Sequence, residues 1–206
     1  ATLAKRNPYT ANKPPEHWDD SAQLGGTPGS INFPDDNIPP PTSTVPLLAL
    51  ADNWRYNESG VDLGSAWAQS SHAIGAGWEI GPGGIGFETG TNIPLNTELD
   101  FPGFNSTVTY YFEREFELDA SQFASLDSLK IRHGFDDGAV IYINGVEAHR
   151  VNMPAGPISA ATEASSGVEI DDLSADTPIS TAAVTSGTNR ISVEVHQENP
   201  GSSDVL

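Results

Sequence analysis

Two tight-turn signals bracket one short apolar segment, and this arrangement constrains the fold more than any other feature of the chain. Asp137-Gly138 precedes residues 139–143, which read Ala-Val-Ile-Tyr-Ile, and Asn144-Gly145 follows them. Both dipeptides tolerate the positive φ angles of type I′ turns, whose twist suits a β-hairpin. The pattern predicts a six-residue strand in the middle of a three-strand meander. Because both faces of this strand are apolar, we expect it to be covered on both sides.

Residues 107–118 give the clearest strand pattern, because apolar and polar side chains alternate over a dozen positions. A period of two predicts one buried face and one solvated face. The predicted buried face carries Val108, Tyr110, Phe112, Phe116 and Leu118, and the predicted solvated face carries Thr109, Tyr111, Glu113, Glu115 and Glu117.

Arg114 interrupts the buried face of this strand. An unpaired buried charge is strongly unfavourable. We therefore expect either a carboxylate partner, supplied by Asp136, Asp137 or Asp204, or a bulge that turns Arg114 outward.

Further elements follow from shorter patterns. We expect a first strand within residues 47–56, a helical turn capped by Asp119, and strands at 129–135, 146–152 and 191–195. At most one short strand, near residues 168–170, is expected between 155 and 188. The remaining chain reads as loops, in keeping with 20 glycines and 16 prolines among 206 residues.

The N-terminal part has a different composition. Nine prolines fall within residues 1–46, including Pro39-Pro40-Pro41. This density leaves little room for regular structure. We predict an extended Pro-rich arm over residues 1–44 and a folded domain over residues 45–206. Trp18 and Phe33 argue against a disordered leader, which is usually poor in aromatic residues.

Charge and residue usage exclude several functions. The formal net charge is −19, so nucleic acid and anionic membranes are unlikely partners, because phosphate binding needs clustered Lys and Arg. There is no cysteine, and hence no disulfide or thiolate chemistry. No apolar stretch approaches the roughly 20 residues of a membrane helix. The charge indicates either solubility in a salty or extracellular setting or an affinity for cations.

The C-terminal three quarters of the chain resemble the galactose-binding-like jelly-roll modules of large secreted bacterial proteins. The resemblance runs from about Trp54 to the C-terminus. The residues that carry it are Tyr110 to Arg114, Phe135 to Glu147, Asn152-Met153-Pro154, Asn189 to Gln197 and Ser202-Ser203-Asp204. It implies an all-β fold, an antiparallel jelly-roll β-sandwich with an extended N-terminal arm. It also implies an extracellular or cell-surface location and a non-catalytic role, either glycan binding or bracing a neighbouring domain.

A second resemblance lies inside the arm. Asn7-Pro8-Tyr9, His17-Trp18 and residues 25–29 resemble the closing segment of a lamin-tail-like β domain. Such domains often precede jelly rolls in large bacterial surface proteins.

Asp136-Asp137 is the strongest candidate for a metal site. Two hard carboxylates at a turn suit calcium, which takes six to eight oxygen ligands. Asn199 and Asp204 complete the site if the last strand ends beside this turn. The alternative is ordinary turn chemistry, in which Asp caps backbone N–H groups.

Glycan binding requires an exposed aromatic platform. The candidates are Trp54, Tyr56, Trp67, Trp78 and Tyr111. A tryptophan in a sandwich is more often part of the core. Tyr111 lies on the predicted solvated face of its strand, which favours it slightly.

No catalytic residues are predicted. The five histidines are scattered, and neither a His-Glu-x-x-His nor a Gly-x-Ser-x-Gly motif occurs. His196, Ser203 and Asp204 could outline a triad, but sequence proximity is not geometry. We therefore expect no enzyme activity.

The alternative function is a self-assembling filament subunit. In the resembled family another strand follows Ser202-Ser203-Asp204, whereas the sequence given ends at Leu206. We expect an open sheet edge there, which another segment of this chain, a segment of another copy added as a strand, or the remainder of a longer polypeptide would cover. Calcium could then trigger assembly by screening the negative charge.

Overall fold

A computed structural model of the chain describes residues 3–5, 18–20, 43–100 and 106–206. The chain divides into two compact units, residues 1–46 and 47–206. In the first unit, strand β1 (Leu3–Lys5) pairs antiparallel with strand β2 (Trp18–Asp20). Residues 6–17 and 21–42 of the predicted arm lie outside the described residues, as do most of the segments that resemble a lamin-tail-like domain.

The second unit is the predicted all-β sandwich. Its strands are β3 (Asn53–Asn57), β4 (Glu79–Pro82), β5 (Ile85–Gly86), β6 (Thr97–Glu98), β7 (Thr109–Leu118), β8 (Leu129–Ile131), β9 (Gly138–Ile143), β10 (Val146–Val151), β11 (Thr177–Ile179) and β12 (Gly187–His196). Six of them form one antiparallel sheet in the order β10-β9-β12-β7-β3-β4. The pairs β8–β11 and β5–β6 supply residues that pack against one face of this sheet.

The core lies between these layers. Tyr110, Ile141 and Val193 of the large sheet pack in one cluster with Ile85 and Val205 of the opposite layer. Each fully buried side chain of this size stabilises the fold by about 1.5–3 kcal/mol. Val205 also forms an antiparallel β-bridge with Phe87, so the last residues of the sequence pair within the sandwich.

The central apolar strand is confirmed. Ala139, Val140 and Ile141 of β9 are fully buried, because packed side chains cover both faces. The Asn144-Gly145 turn to β10 is also confirmed, with φ values of 50° and 81°. A Cβ atom at Gly145 would meet the end of the exposed Gln69 side chain, which can move aside, so it is the positive φ that favours glycine there.

The predicted meander is wrong at its first turn. β8 pairs with β11, and β9 lies between β10 and β12. The segment between β8 and β9 therefore crosses from one layer to the other instead of making a hairpin. The Asp137 carboxylate accepts hydrogen bonds from the backbone N–H groups of Val168 and Glu198, each at 2.7 Å, which holds the chain in this crossing.

Three of the five β7 residues that were predicted to be solvated are buried. Glu115 and Glu117 are exposed, whereas Thr109, Tyr111 and Glu113 are buried. A second layer of chain causes this, because residues from 63 to 78 pack over Tyr111. Period two identified the two faces of the strand but not the cover on the outer one.

Arg114 has a carboxylate partner, as one alternative predicted, but the partner is none of Asp136, Asp137 and Asp204, and the predicted bulge is not formed. The β7–β12 register is continuous past Arg114, so no bulge turns it outward. Its Nη2 atom lies 3.3 Å from Asp52 Oδ2, and its Nη1 atom donates to the Asn53 carbonyl. Asp52 lies near Arg114 because strand β3, which begins at the next residue, pairs with β7.

The predictions for the shorter elements are right in part. Helix α1 (Ala120–Ala124) has the predicted N-cap, since the Asp119 side chain accepts from the N–H groups of Ser121 and Gln122. The strand predicted at 168–170 is not formed, and β11 forms later instead. Among the described residues, no helix is long and apolar enough to cross a membrane.

Candidate functional site

Four carboxylates from distant parts of the sequence converge at one place in the sandwich. One oxygen atom from each of Glu88, Asp136, Glu169 and Asp204 lies within 4.8 Å of the others. We call this set the carboxylate cluster. Glu88 follows β5, Asp136 precedes β9, Glu169 lies between β10 and β11, and Asp204 follows β12.

Backbone pairing of neighbouring residues builds the cluster. Phe87 and Val205 exchange two hydrogen bonds of 2.8 and 2.9 Å, and this pairing sets Glu88 beside Asp204. The Asp136 N–H donates to the Leu206 carbonyl at 3.1 Å, which adds the third carboxylate. The Val168 N–H donates to the Asp137 carboxylate, and this bond places the next residue, Glu169, at the cluster as the fourth acid. Backbone hydrogen bonds of neighbouring residues therefore bring the four carboxylates together, although like charges repel one another.

In the part of the chain that the structure describes, no ion pair reaches the carboxylate cluster. Every ion pair among the described residues involves other carboxylates. Burial raises the pKa of Asp136 to about 8, and the charges of Asp137 and Asp204 add to this effect. The charge of Asp204 is the main cause of a raised pKa at Glu169. The electrostatics therefore disfavour the fully ionised cluster unless a cation or proton is present.

The raised pKa of Asp136 gives a pH-dependent stability. In metal-free protein the folded state binds this proton more tightly than the unfolded chain, whose ordinary pKa is 3.8. This contribution to stability is present at low pH and is lost as the pH rises from about 4 to about 8. We expect Asp136→Asn to remove a slope of at most about 1.4 kcal/mol per pH unit.

Urea unfolding at a series of pH values in EDTA measures this slope. Asp127→Asn is the matched control, because Asp127 is exposed and lies outside the carboxylate cluster. Equal slopes for wild type and Asp136→Asn would contradict the prediction.

The four predicted metal ligands have different environments. Asp136 and Asp204 belong to the carboxylate cluster. Asp137 caps two backbone N–H groups, and Asn199 Oδ1 accepts from the Gly201 N–H at 2.8 Å within its own turn. The other two cluster members were not predicted. Glu88 stands in no motif, and Glu169 lies between Val168 and Ile170 in a segment that was predicted as a loop or short strand.

A pocket of about 380 Å³ adjoins the carboxylate cluster. Glu88 belongs to both, which places one wall of the pocket beside the cluster. The pocket combines an aromatic ring and an aliphatic side chain with several hydrogen-bonding groups. Its lining residues are Phe87, Glu88, Thr89, Leu95, Asn96 and Glu98.

The five aromatic candidates lie mostly inside the fold. Tyr56 packs in the main core, and Trp67 and Tyr111 pack against each other on the outer face of the large sheet. Only 1–6% of these three residues is exposed, so they offer little ring surface to a ligand. Trp54 and Trp78 are half-buried and also pack against these clusters.

The outer face of the large sheet holds a buried polar network. Glu113 accepts from Arg55 Nε at 2.8 Å, and Arg190 Nη1 lies 3.6 Å from its other oxygen. Tyr142 donates to Glu194 at 2.5 Å, and burial together with this bond raises the pKa of Tyr142. These groups are enclosed beneath the segment that carries Trp67.

The suggested Ser203, His196 and Asp204 set is not brought together through hydrogen bonds. His196 is fully buried, and its Nδ1 atom lies 2.9 Å from Thr109 Oγ1 and 2.7 Å from the Thr162 carbonyl. Asp204 instead accepts from the Ser202 hydroxyl at 3.0 Å and belongs to the carboxylate cluster.

Comparison with known proteins gives no family. No protein-family model matches the chain, and no curated protein sequence is significantly similar to it. Among solved structures, the chain is similar to β-glucuronidase from Ruminococcus gnavus, with 15% identity and a TM-score of 0.46 in a complex with C6-substituted uronic isofagomine. Another crystal structure of the same β-glucuronidase gives 17% identity and a TM-score of 0.45, and the complex with D-glucaro 1,5-lactone gives 19% and 0.44.

These matches cover 73% of this chain and 21–22% of the glucuronidase chains. The chain thus spans about a fifth of their length. With TM-scores below 0.5, they assign it neither a family nor an activity.

Proposed function

We propose that residues 47–206 form a non-catalytic β-sandwich module that binds glycans, as an accessory part of a larger extracellular or surface protein. The pocket beside the carboxylate cluster carries this proposal. Its volume of about 380 Å³ falls in the range of small-ligand sites. Phe87 and Leu95 supply an apolar surface for a sugar ring, and Thr89 and Asn96 supply groups that bind hydroxyls.

The charge of the pocket selects among sugars. Glu88 and Glu98 line it, and the chain carries a formal charge of −19. Anionic uronic acids would be repelled by these carboxylates. Neutral hexoses, and amino sugars with a positive charge, fit the pocket better.

A non-catalytic role is favoured by the surroundings of the groups suited to acid–base chemistry. His196 is buried, and the His72 imidazole lies 3.1 Å from Glu113 in the enclosed network. The pocket does contain two carboxylates, which is the minimum equipment of a glycoside hydrolase. Hydrolase assays therefore belong in the same experiment as binding assays.

Filling the pocket should abolish glycan binding. Thr89→Trp places a large ring at an exposed pocket position and leaves the core untouched. We expect the affinity for a neutral or amino sugar found on a glycan array to fall at least tenfold. Isothermal titration with that sugar measures the loss.

Ser128→Trp is the control, since Ser128 is exposed beside β8 and lies outside the pocket. Binding that is equal in both variants would remove the pocket from the proposal. If the wild-type chain hydrolyses a glycoside and Glu98→Gln does not, the module is an enzyme and the non-catalytic proposal is wrong.

Self-association is the second candidate function. β4 and β10 are the outermost strands of the six-stranded sheet, and Ile80 on β4 is an exposed large apolar residue. An edge of this kind can accept a strand from another copy. Sizing of the full chain, with and without calcium, tests this. A monomer at high concentration in both conditions would exclude it.

A further inference from the structure

We propose that the carboxylate cluster of Glu88, Asp136, Glu169 and Asp204 is a binding site for a calcium-class cation. The site shares Glu88 with the pocket, but the argument for it does not depend on glycan binding. It also differs from the site predicted from sequence, because Glu88 and Glu169 replace Asp137 and Asn199 as ligands.

The first observation is that the cluster contains buried acceptors without donors. Asp136 is only 2% exposed, and among the described residues no N–H group donates to its carboxylate. The Asp136 carboxyl group interacts with that of Asp137, which is itself occupied as an acceptor of two N–H bonds. A contact between two carboxyl groups needs a proton, whereas a cation satisfies both at once.

Glu88 gives the second observation. Its Oε1 atom accepts from the N–H groups of Thr89 and Gly90, at 2.5 and 2.7 Å. Its Oε2 atom is buried and has no hydrogen-bond partner. Burying an ionised oxygen without a partner is costly. The free oxygen of Glu88 and the carboxylate of Asp136 therefore point to a missing positive charge in the cluster.

The donor set selects the kind of cation. The cluster is made of carboxylate oxygens and contains neither histidine nor cysteine, the ligands that zinc prefers. Each of the four carboxylates brings one oxygen into the cluster, and calcium would complete its six to eight oxygen ligands with water or with second carboxylate oxygens. Magnesium keeps several of its waters and requires strict octahedral geometry, so a crowded set of acids suits it less well.

A cation at this position would tie four chain segments together. Glu88 and Asp204 flank the bridge between Phe87 and Val205, Asp136 leads into β9, and Glu169 lies in the long connection between β10 and β11. Calcium bound only by the folded state stabilises it by mass action. The connection between β10 and β11 would gain most, because it has no strand pairing of its own around Glu169.

The test uses the metal-free full chain with calcium chloride as the only added ligand and no sugar present. We expect one binding event by isothermal titration and a higher melting temperature with calcium than with EDTA. Magnesium should give a smaller shift. Asp204→Asn and Glu169→Gln should each weaken calcium binding at least tenfold.

Glu163→Gln is the matched control, because it removes the same charge from an exposed position outside the cluster and should bind calcium normally. Circular dichroism in EDTA verifies that each variant is folded. The proposal is overturned if wild type shows no calcium binding and equal melting temperatures in calcium and EDTA, or if Glu163→Gln and Glu169→Gln respond alike. A calcium site that persists in the pocket-filling Thr89→Trp variant, with glycan binding lost, would separate this inference from the proposed function.

Discussion

Glu113→Ala is expected to lower the free energy of unfolding by about 3–5 kcal/mol, the usual cost of removing one partner from a buried ion pair. Glu113 is fully buried on the outer face of β7. It accepts from Arg55 Nε at 2.8 Å, and its second oxygen lies 3.1 Å from His72 Nδ1 and 3.6 Å from Arg190 Nη1. Its loss leaves the buried Arg190 guanidinium with the exposed Glu115 carboxylate and two backbone carbonyls.

Urea unfolding at neutral pH measures this effect. Glu117→Ala on the same strand is the control, because the Glu117 side chain is exposed and, among the described residues, bonds the Thr188 hydroxyl alone. We expect it to cost less than about 1 kcal/mol. A Glu113→Ala loss as small as that of the control would mean that the network contributes little to stability.

Trp67→Ala is expected to have an effect of similar size, about 3–5 kcal/mol, because it empties a large buried volume. Only 4% of Trp67 is exposed. Its ring lies 4.8 Å from that of Tyr111 and 6.0 Å from that of Tyr142, both in edge-on arrangements. The Trp67 side chain therefore anchors the segment that covers the polar network.

Hydrogen exchange should locate the change. We expect the increase in exchange rate to be larger in residues 63–78 and in β7 than in the β8–β11 pair. Phe123→Ala is the control, since Phe123 is 40% exposed on α1. If Trp67→Ala instead abolished glycan binding without loss of stability, Trp67 would be a ligand platform after all.

Features set by adjacent residues could be predicted from the sequence. Asn144-Gly145 forms its turn, and Asp119 caps its helix, because each depends only on local conformation and a few hydrogen bonds. The alternation in β7 and the apolar run in β9 likewise identified strands and their faces. Local pattern was sufficient for the all-β class and for the longer strands, but not for the short strands β4, β5, β6 and β11.

Features set by distant contacts could not be predicted. The burial of Glu113 depends on a covering segment some 40 residues earlier, and the partner of Arg114 is decided by the neighbour of β7 in the sheet. The carboxylate cluster depends on the bridge between Phe87 and Val205. Sequence reasoning could find Asp136 and Asp204 as acids near turns. It could not predict that Glu88 and Glu169 lie beside these two residues.

The position of β12 has a consequence for the order of events during synthesis. This strand lies between β9 and β7 and pairs with both, yet it is the last of the six sheet strands to leave the ribosome. Until residues 187–196 emerge, β7 and β9 have unpaired edges that invite wrong pairing between nascent chains. The six-stranded sheet can therefore form only after β12 has been synthesised. Its folding depends on contacts between distant parts of the sequence and is expected to be slow.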